Sequence, residues 1–241
     1  MSSTNRLLVA SLGTVPYAEA LELQRAAARA RLEGLLDEDL LILLEHPAVV
    51  TTGRSTNGRN LRLSRESLAA RGIELFDVER GGDVTFHGPG QLVGYPILDL
   101  TRHREDLHWY LRQIEQVLID ALAIFDIRAE RNPGKTGVWT NRRKIASIGV
   151  HARQWVTWHG FALNVTTDLS YFDVMVPCGI ADVTMTSIER ELLDRASGAC
   201  LAPSPALGDE VREAVVAAAS RVFSLEPVHV PAADLSGLLV P

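Results

Sequence analysis

The sequence predicts an α+β fold: a mixed β-sheet with flanking helices, in a single domain spanning 1–241. Three observations carry this. Helical and strand-like segments alternate along the chain, so both element types must share one layered core. Several strand pairs are joined by tight turns, which rules against a purely parallel doubly wound sheet. No internal repeat and no linker of domain-boundary composition interrupts the 241 residues, a length sufficient to bury a sizeable core.

Residues 17–36, rich in Ala, Leu, Glu and Arg, read as a helix, with Pro16 suited to its first turn. LLILLEH (40–46) is a continuous apolar run of the kind a buried strand shows, and AVVTT (48–52) extends or restarts it before Gly53. IELFDVE (73–79) and LVGYPILDL (92–100) are further strands. From Asp106 to Phe125 the apolar positions keep helical spacing and give one strong amphipathic helix. TGVWT (136–140), KIASIGVHAR (144–153) and HGFALNV (159–165) are strands, the first two joined by a hairpin turn at Asn141-Arg142-Arg143. In the middle one, Ile145, Ser147 and Gly149 alternate with Ala146, Ile148 and Val150, as on a strand with one dry face. A last amphipathic helix covers 209–224, and the Pro/Ala-rich remainder of the C-terminus is expected to be peripheral.

Composition removes several function classes. A net charge of −6 argues against binding nucleic acid by bulk electrostatics. The first residues, MSSTNRLLVASLG, fit neither a signal peptide nor an Arg-rich transit peptide, and no apolar run approaches the ~18 residues of a membrane span. With two cysteines and no secretory signal, the reducing cytoplasm is the expected compartment, with no membrane association. The histidines show no H-x-x-x-H and the cysteines no C-x-x-C pattern, so no metal is expected. The nucleophile elbow G-x-S-x-G, the dinucleotide fingerprint and the phosphate-binding P-loop are likewise missing.

Three features carry candidate chemistry. Arg80-Gly81-Gly82-Asp83-Val84-Thr85-Phe86-His87 opens a stretch, running to Gln91, with glycine density that permits close backbone approach. A hairpin with two tight turns and a ligand-contacting loop both fit it. Cys178, held between Pro177 and Gly179, reads either as a small buried hydrophobe or as a thiol fixed on a turn with room for substrate. Cys200 has nothing around it that would activate it. Lys144 opens an otherwise apolar-alternating strand after Arg142 and Arg143. Burial and neighbouring cations depress the pKa of a lysine, and such a group can take a thiol proton or hold a thiolate by charge. The arginines at 54, 59, 62, 65 and 71 face a single acid, Glu66, and form a basic patch on an acidic chain.

Taken in order, LLEHPAVVTTGR, RGGDVTFHGPGQLVGYPILDL, GVW, KIASIGV, HGFALNV, DLSYFDVMVPCGI and TMTSI resemble the lipoyl(octanoyl) transferases, relatives of the biotin and lipoate protein ligases. The resemblance runs from about Leu43 to Ile188 and implies a biotin/lipoate ligase-like catalytic region over 36–219. Phe86 stands where many members have Tyr, so no phenol role falls to that position.

The resemblance implies transfer of an octanoyl group from the phosphopantetheine thiol of acyl carrier protein to a specific lysine. The acceptors would be lipoyl domains of 2-oxoacid dehydrogenases and the glycine cleavage H protein. Neither ATP nor a metal would be needed. By the same resemblance Cys178 is the acyl-accepting nucleophile and Lys144 the residue that tunes it. The substrate pocket falls to Arg80 through His87, to Ser147, Ile148 and Gly149, and to Gly160, Phe161 and Ala162. The 54–71 patch would steer the acidic carrier protein. An ATP-dependent lipoate or biotin ligase, a non-catalytic acyl-binding module and a cysteine hydrolase are the rival readings.

Overall fold

The computed structural model describes residues 5–57, 60–175, 183–195, 204–235 and 237. In chain order the elements are β1 (Arg6–Thr14), α1 (Tyr17–Leu32), β2 (Asp39–Glu45), β3 (Val49–Thr52), α2 (Arg65–Ala69), β4 (Glu74–Asp77), β5 (Thr85–His87) and β6 (Gln91–Ile97). They continue with α3 (Leu107–Ala123), β7 (Glu130–Asn132), β8 (Lys135–Thr140), β9 (Arg143–Arg153), β10 (Val156–Asn164), α4 (Ile188–Arg195), α5 (Leu207–Phe223), β11 (Glu226–Val230) and α6 (Ala232–Leu235).

Eight strands form one sheet in the order β11-β1-β2-β6-β10-β9-β8-β7, and β4-β3-β5 form a second, smaller one. The large sheet is mixed, as the sequence predicts. β1 lies parallel to both β11 and β2, and all other neighbours are antiparallel. The parallel step from β1 to β2 needs a crossover, which α1 supplies.

Helices cover both faces, which is why β2 reads as an unbroken apolar run. Leu41 and Leu43 enter the core under α3 and α5, while Leu40, Ile42 and Leu44 enter the core under α1. The helix α3 starts where Asp106 accepts the amide hydrogens of His108 and Trp109, the capping geometry an aspartate before an amphipathic run favours. At Asn141 and Arg142 both φ angles are positive (47° and 65°), the two-residue turn that matches strand twist, so the expected hairpin is present.

Three expectations need correction. The C-terminal segment is not merely peripheral: Glu226–Val230 adds as the edge strand β11 beside β1, and its Pro227 is tolerated there because an edge strand leaves donors unused. The glycine-rich stretch is not a hairpin. β5 pairs with β3 in the small sheet and β6 with β2 and β10 in the large one, so the turn at 88–91 hands the chain from one sheet to the other. The third concerns β9. Trp139 pairs with Lys144, but the next pair is Val138 with Ala146, leaving Ile145 as an extra residue. Ile145 and Ala146 are both fully buried in the same core, so this bulge breaks the alternation expected of a strand with one dry face.

Candidate active site

The bulge decides where Lys144 goes. Because Ile145 and Ala146 face the α3 side together, Lys144 falls on the opposite side with Ser147 and Gly149. That side carries a cavity of about 440 Å3. Lys144 is buried (1% exposed), and its ammonium lies 5.7 Å from the centroid of the Trp139 ring. Lys135 approaches the same ring at 5.6 Å. Of the arginines preceding Lys144, Arg143 is engaged elsewhere, pairing with Glu191 and Asp194 at 2.8 Å each.

Gly137 gives Lys144 its room. With φ at 133° the backbone there suits only glycine, and a Cβ would stand 2.7 Å from Lys144 Cε and 3.3 Å from its Nζ. The amide of Gly137 donates to Glu115 Oε1 (3.2 Å), a fully buried carboxylate on α3 that also accepts from Arg112 and from Arg131 (3.1 Å). Neither Lys144 nor Gly137 is itself among the residues that line the cavity. Gly137's neighbours Lys135 and Thr136 are among the lining residues.

The backbone of Lys144 is bound on its other side to the segment that follows Cys178. Its amide donates to Thr184 O (2.8 Å) and its carbonyl accepts from Thr186 N (2.9 Å). Cys178, Pro177 and Gly179 fall within 176–182 and Cys200 within 196–203, outside the described residues. A buried polar chain supports the 184–186 segment from behind. Asn164 Nδ2 donates to Thr186 O (2.9 Å), Gln91 Nε2 to Asn164 Oδ1 (2.9 Å), and His87 Nδ1 to Gln91 Oε1 (2.9 Å). These bonds assign the His87 tautomer: the proton sits on Nδ1, leaving Nε2 as acceptor toward Thr51 Oγ1 at 3.5 Å.

The expected pocket residues largely converge. Arg80, Gly82, Asp83, Val84, Thr85 and His87 line the cavity from the small-sheet side. Ser147, Ile148 and Gly149 on β9, with Gly160, Phe161 and Ala162 on β10, line it from the large sheet. The ring of Phe161 nonetheless lies across Gly94, within the core under α3. Gly81 and Phe86 are not among the lining residues. On a strand neighbours alternate, so Thr85 and His87 face the cavity and Phe86 turns into the small-sheet core, stacked on Tyr171 at 4.6 Å.

The glycine-rich loop does make close backbone contact, but with its own fold. Gly81 N donates to Val150 O (2.8 Å), and a Cβ on Gly149 would stand 2.8 Å from Gly81 O. The loop is thereby clamped onto β9 as the cavity's roof, with Arg80 held by Thr51 through its carbonyl (2.8 Å) and hydroxyl (2.9 Å).

Several lining residues escaped the sequence reading: Tyr17, Val93, Tyr95 and His159 at the buried end, Gly134, Lys135 and Thr136 at the exposed end. Val93, Tyr95 and His159 lie inside motifs that carry the resemblance and Gly134 to Thr136 directly precede another, but Tyr17 stands apart from all of them. His46 Nδ1 donates to Val15 O (2.7 Å), so its Nε2 accepts from the Tyr95 hydroxyl (2.6 Å). Burial lowers the His46 pKa to about 4 and holds that of His87 well below its ordinary value. Burial likewise lowers His159, against the pull of the Glu79 carboxylate 3.8 Å away, and raises Tyr17 to about 12. The imidazoles and phenols at this end are therefore neutral at pH 7. Among the described residues no group of three or more His, Cys, Asp or Glu is arranged to hold a metal, and no helix is long and apolar enough to cross a membrane.

A part-apolar cavity between two sheets, with a buried lysine on the same strand as three of its lining residues, defines a small-molecule catalytic domain. The chain belongs to the lipoyl protein ligase A/B catalytic domain family, whose model matches residues 16–203. Curated relatives named octanoyltransferase cover most of its length. That of Nostoc sp. is 45% identical over 93% of this chain and 95% of its own. That of Gloeobacter violaceus is 46% identical over 92% of each, and that of Solibacter usitatus 54% identical over 70% of this chain and 76% of its own. Among solved structures, a lipoate protein ligase from T. acidophilum with bound lipoic acid superposes with a TM-score of 0.71 at 18% identity, covering 98% of this chain and 93% of that one. Lipoate-protein ligase A bound with ATP gives 0.69 at 15% identity, covering 98% and 92%. At such identities the likeness is one of fold.

Proposed function

We propose that this chain moves an octanoyl group from the phosphopantetheine thiol of acyl carrier protein to a specific lysine of a lipoyl domain, through a thioester on Cys178. The chain is an acyltransferase, and octanoyl transfer in protein lipoylation is its reaction. The observation that carries the site assignment is the setting of Lys144: buried on the strand that brings Ser147 to Gly149 to the cavity, and hydrogen-bonded through its backbone to the residues that follow Cys178.

In the first half-reaction the Cys178 thiolate attacks the incoming thioester carbonyl. The new C–S bond forms as the carrier's C–S bond breaks, and the proton given up by Cys178 reaches the departing carrier thiolate by way of Lys144. Thioester exchange is close to isoenergetic, so neither ATP nor a metal has a role. In the second half-reaction the neutral amine of the acceptor lysine attacks the Cys178 thioester. An amide forms, the C–S bond breaks, and the amine's proton passes through Lys144 to the Cys178 sulfur. Amide formation from a thioester is downhill and commits the transfer. The apolar cavity side chains Val84, Val93, Ile148 and Ala162 supply the surface an eight-carbon chain needs.

Lipoyl domains of 2-oxoacid dehydrogenases and the glycine cleavage H protein are the acceptors in this reading, which sets the reaction in the cytoplasm. The whole of 1–241 acts as one domain, with 36–219 its catalytic region. The test is transfer from octanoyl-acyl carrier protein to a lipoyl domain in buffer free of ATP. The expected result is one octanoyl adduct on one lysine. A requirement for ATP with free octanoate would favour the ligase reading instead.

A further inference from the structure

A buried carboxylate stands beside the start of β9. Glu191 on α4 is 2% exposed, and both of its oxygens are engaged. Oε1 accepts the hydroxyl of Thr186 (2.6 Å) and pairs with Arg143 (2.8 Å), while Oε2 accepts from Asn141 Nδ2 (2.9 Å). A carboxylate removed from water is costly unless donors of this kind satisfy it.

The donors come from two places, and both adjoin Lys144. Asn141 lies in the turn that enters β9, and Arg143 is the residue immediately before Lys144. Thr186 lies on the segment that follows Cys178, where its amide donates to Lys144 O (2.9 Å) and Thr184 O accepts from Lys144 N (2.8 Å). Glu191 thus fastens the approach to Lys144 and the chain returning from Cys178 to one point. That point is itself anchored: Ile188 of α4 is fully buried in the core under α3, and Glu189 N donates to Val165 O (2.9 Å).

Resting on the reading of Cys178 as the acylated thiol, we infer that Glu191 is a positioning residue for octanoyl transfer, holding the segment after Cys178 in register with Lys144. A thiolate and an ammonium act on each other over ångströms, so a segment that slides along β9 weakens their pairing. Glu191, Thr186 and Asn141 do not line the cavity, so substrate binding should be spared.

The test uses the full chain with Glu191→Gln, Thr186→Val and the double variant. It reads kcat and KM for octanoyl transfer and the pH profile of Cys178 alkylation by iodoacetamide. Each single variant should lower kcat about tenfold and leave KM within about twofold of wild type. Each should also move the alkylation profile to higher pH by about half a unit to one unit. The sign separates two causes: loss of a negative charge alone favours a thiolate and moves the profile down, whereas a displaced Lys144 moves it up. Thr186→Val changes no charge. Because the two residues share one bond, their effects on kcat should be far from additive in the double variant. An unmoved or lowered profile in folded Glu191→Gln overturns the inference, as does a loss confined to KM or full additivity. Where Glu191→Gln does not fold, the profile of Thr186→Val decides in the same way. Failure of the transfer reading looks different: wild type itself would move no octanoyl group, while alkylation would still report what Glu191 does to the thiol.

Discussion

Gly137 and Lys144 occupy one space: the lysine's Cε lies 2.7 Å from where a Cβ on residue 137 would be. Since Gly137 also donates its amide to the buried Glu115, the position of Lys144 is tied through β8 to helix α3. Gly137→Ala should cost about 1–3 kcal/mol of stability through overpacking and strain. Displacing the ammonium by an ångström should slow octanoyl transfer about 100-fold. Thermal unfolding and single-turnover transfer measure the two effects. A variant that folds with full activity would show that the placement of Lys144 does not matter.

Lys144→Ala addresses the lysine's role rather than its position. If Lys144 holds the Cys178 thiolate, iodoacetamide should alkylate Cys178 about tenfold more slowly at pH 7 in the variant, with the profile displaced to higher pH. An alkylation profile identical to that of wild type removes Lys144 from thiol activation.

The neutral imidazole at the closed end predicts a pH dependence of stability. His46 titrates at about 4 when folded and near its ordinary 6.5 when unfolded, so below 6.5 the unfolded chain takes up a proton that the folded one refuses. Its contribution is fully present above pH 6.5 and is lost as pH falls toward 4, about 3 kcal/mol in all. The depressed pKa of His87 acts in the same sense. Urea unfolding from pH 7 to pH 4 should show this fall, and His46→Gln should flatten part of it. Equal slopes in the two proteins would assign the effect to other groups.

The arginines before β4 bear on the donor. Arg65 bonds Leu75 O (2.9 Å) and Asp77 (3.3 Å), and Arg62 reaches Asp173 O (3.4 Å), while Arg59 lies outside the described residues. Part of the patch is thus engaged with its own fold. If the remainder steers an acidic carrier, kcat/KM for the carrier substrate should fall severalfold between 50 and 300 mM salt (on the order of one decade at most) with kcat little changed. Salt-independent kcat/KM would leave these residues a structural role only.

The sequence made the mixed sheet, the Asn141-Arg142 hairpin and the two glycine-bearing strand motifs legible, because each rests on local periodicity or turn chemistry. That Ser147 to Gly149 and Gly160 to Ala162 line the cavity follows from the family resemblance and not from periodicity. The bulge at Ile145 was not legible. K-I-A-S-I-G has the same composition whether or not a residue is inserted, and only pairing with Val138 and Trp139 reveals the extra one. Phe86 was placed with its neighbours because a motif is read as a unit, whereas a strand sends adjacent side chains to opposite faces. Tyr17 and Tyr95 reach the cavity from α1 and β6, and no spacing in the sequence encodes that meeting. Strand β11 was hidden by Pro227 and a polar, edge-like composition.

The central claim is the thioester on Cys178, and intact mass after mixing with octanoyl-acyl carrier protein tests it most directly. Wild type and Cys200→Ser should each gain one octanoyl group, and Cys178→Ser none. An adduct retained by Cys178→Ser and lost from Cys200→Ser would contradict the assignment.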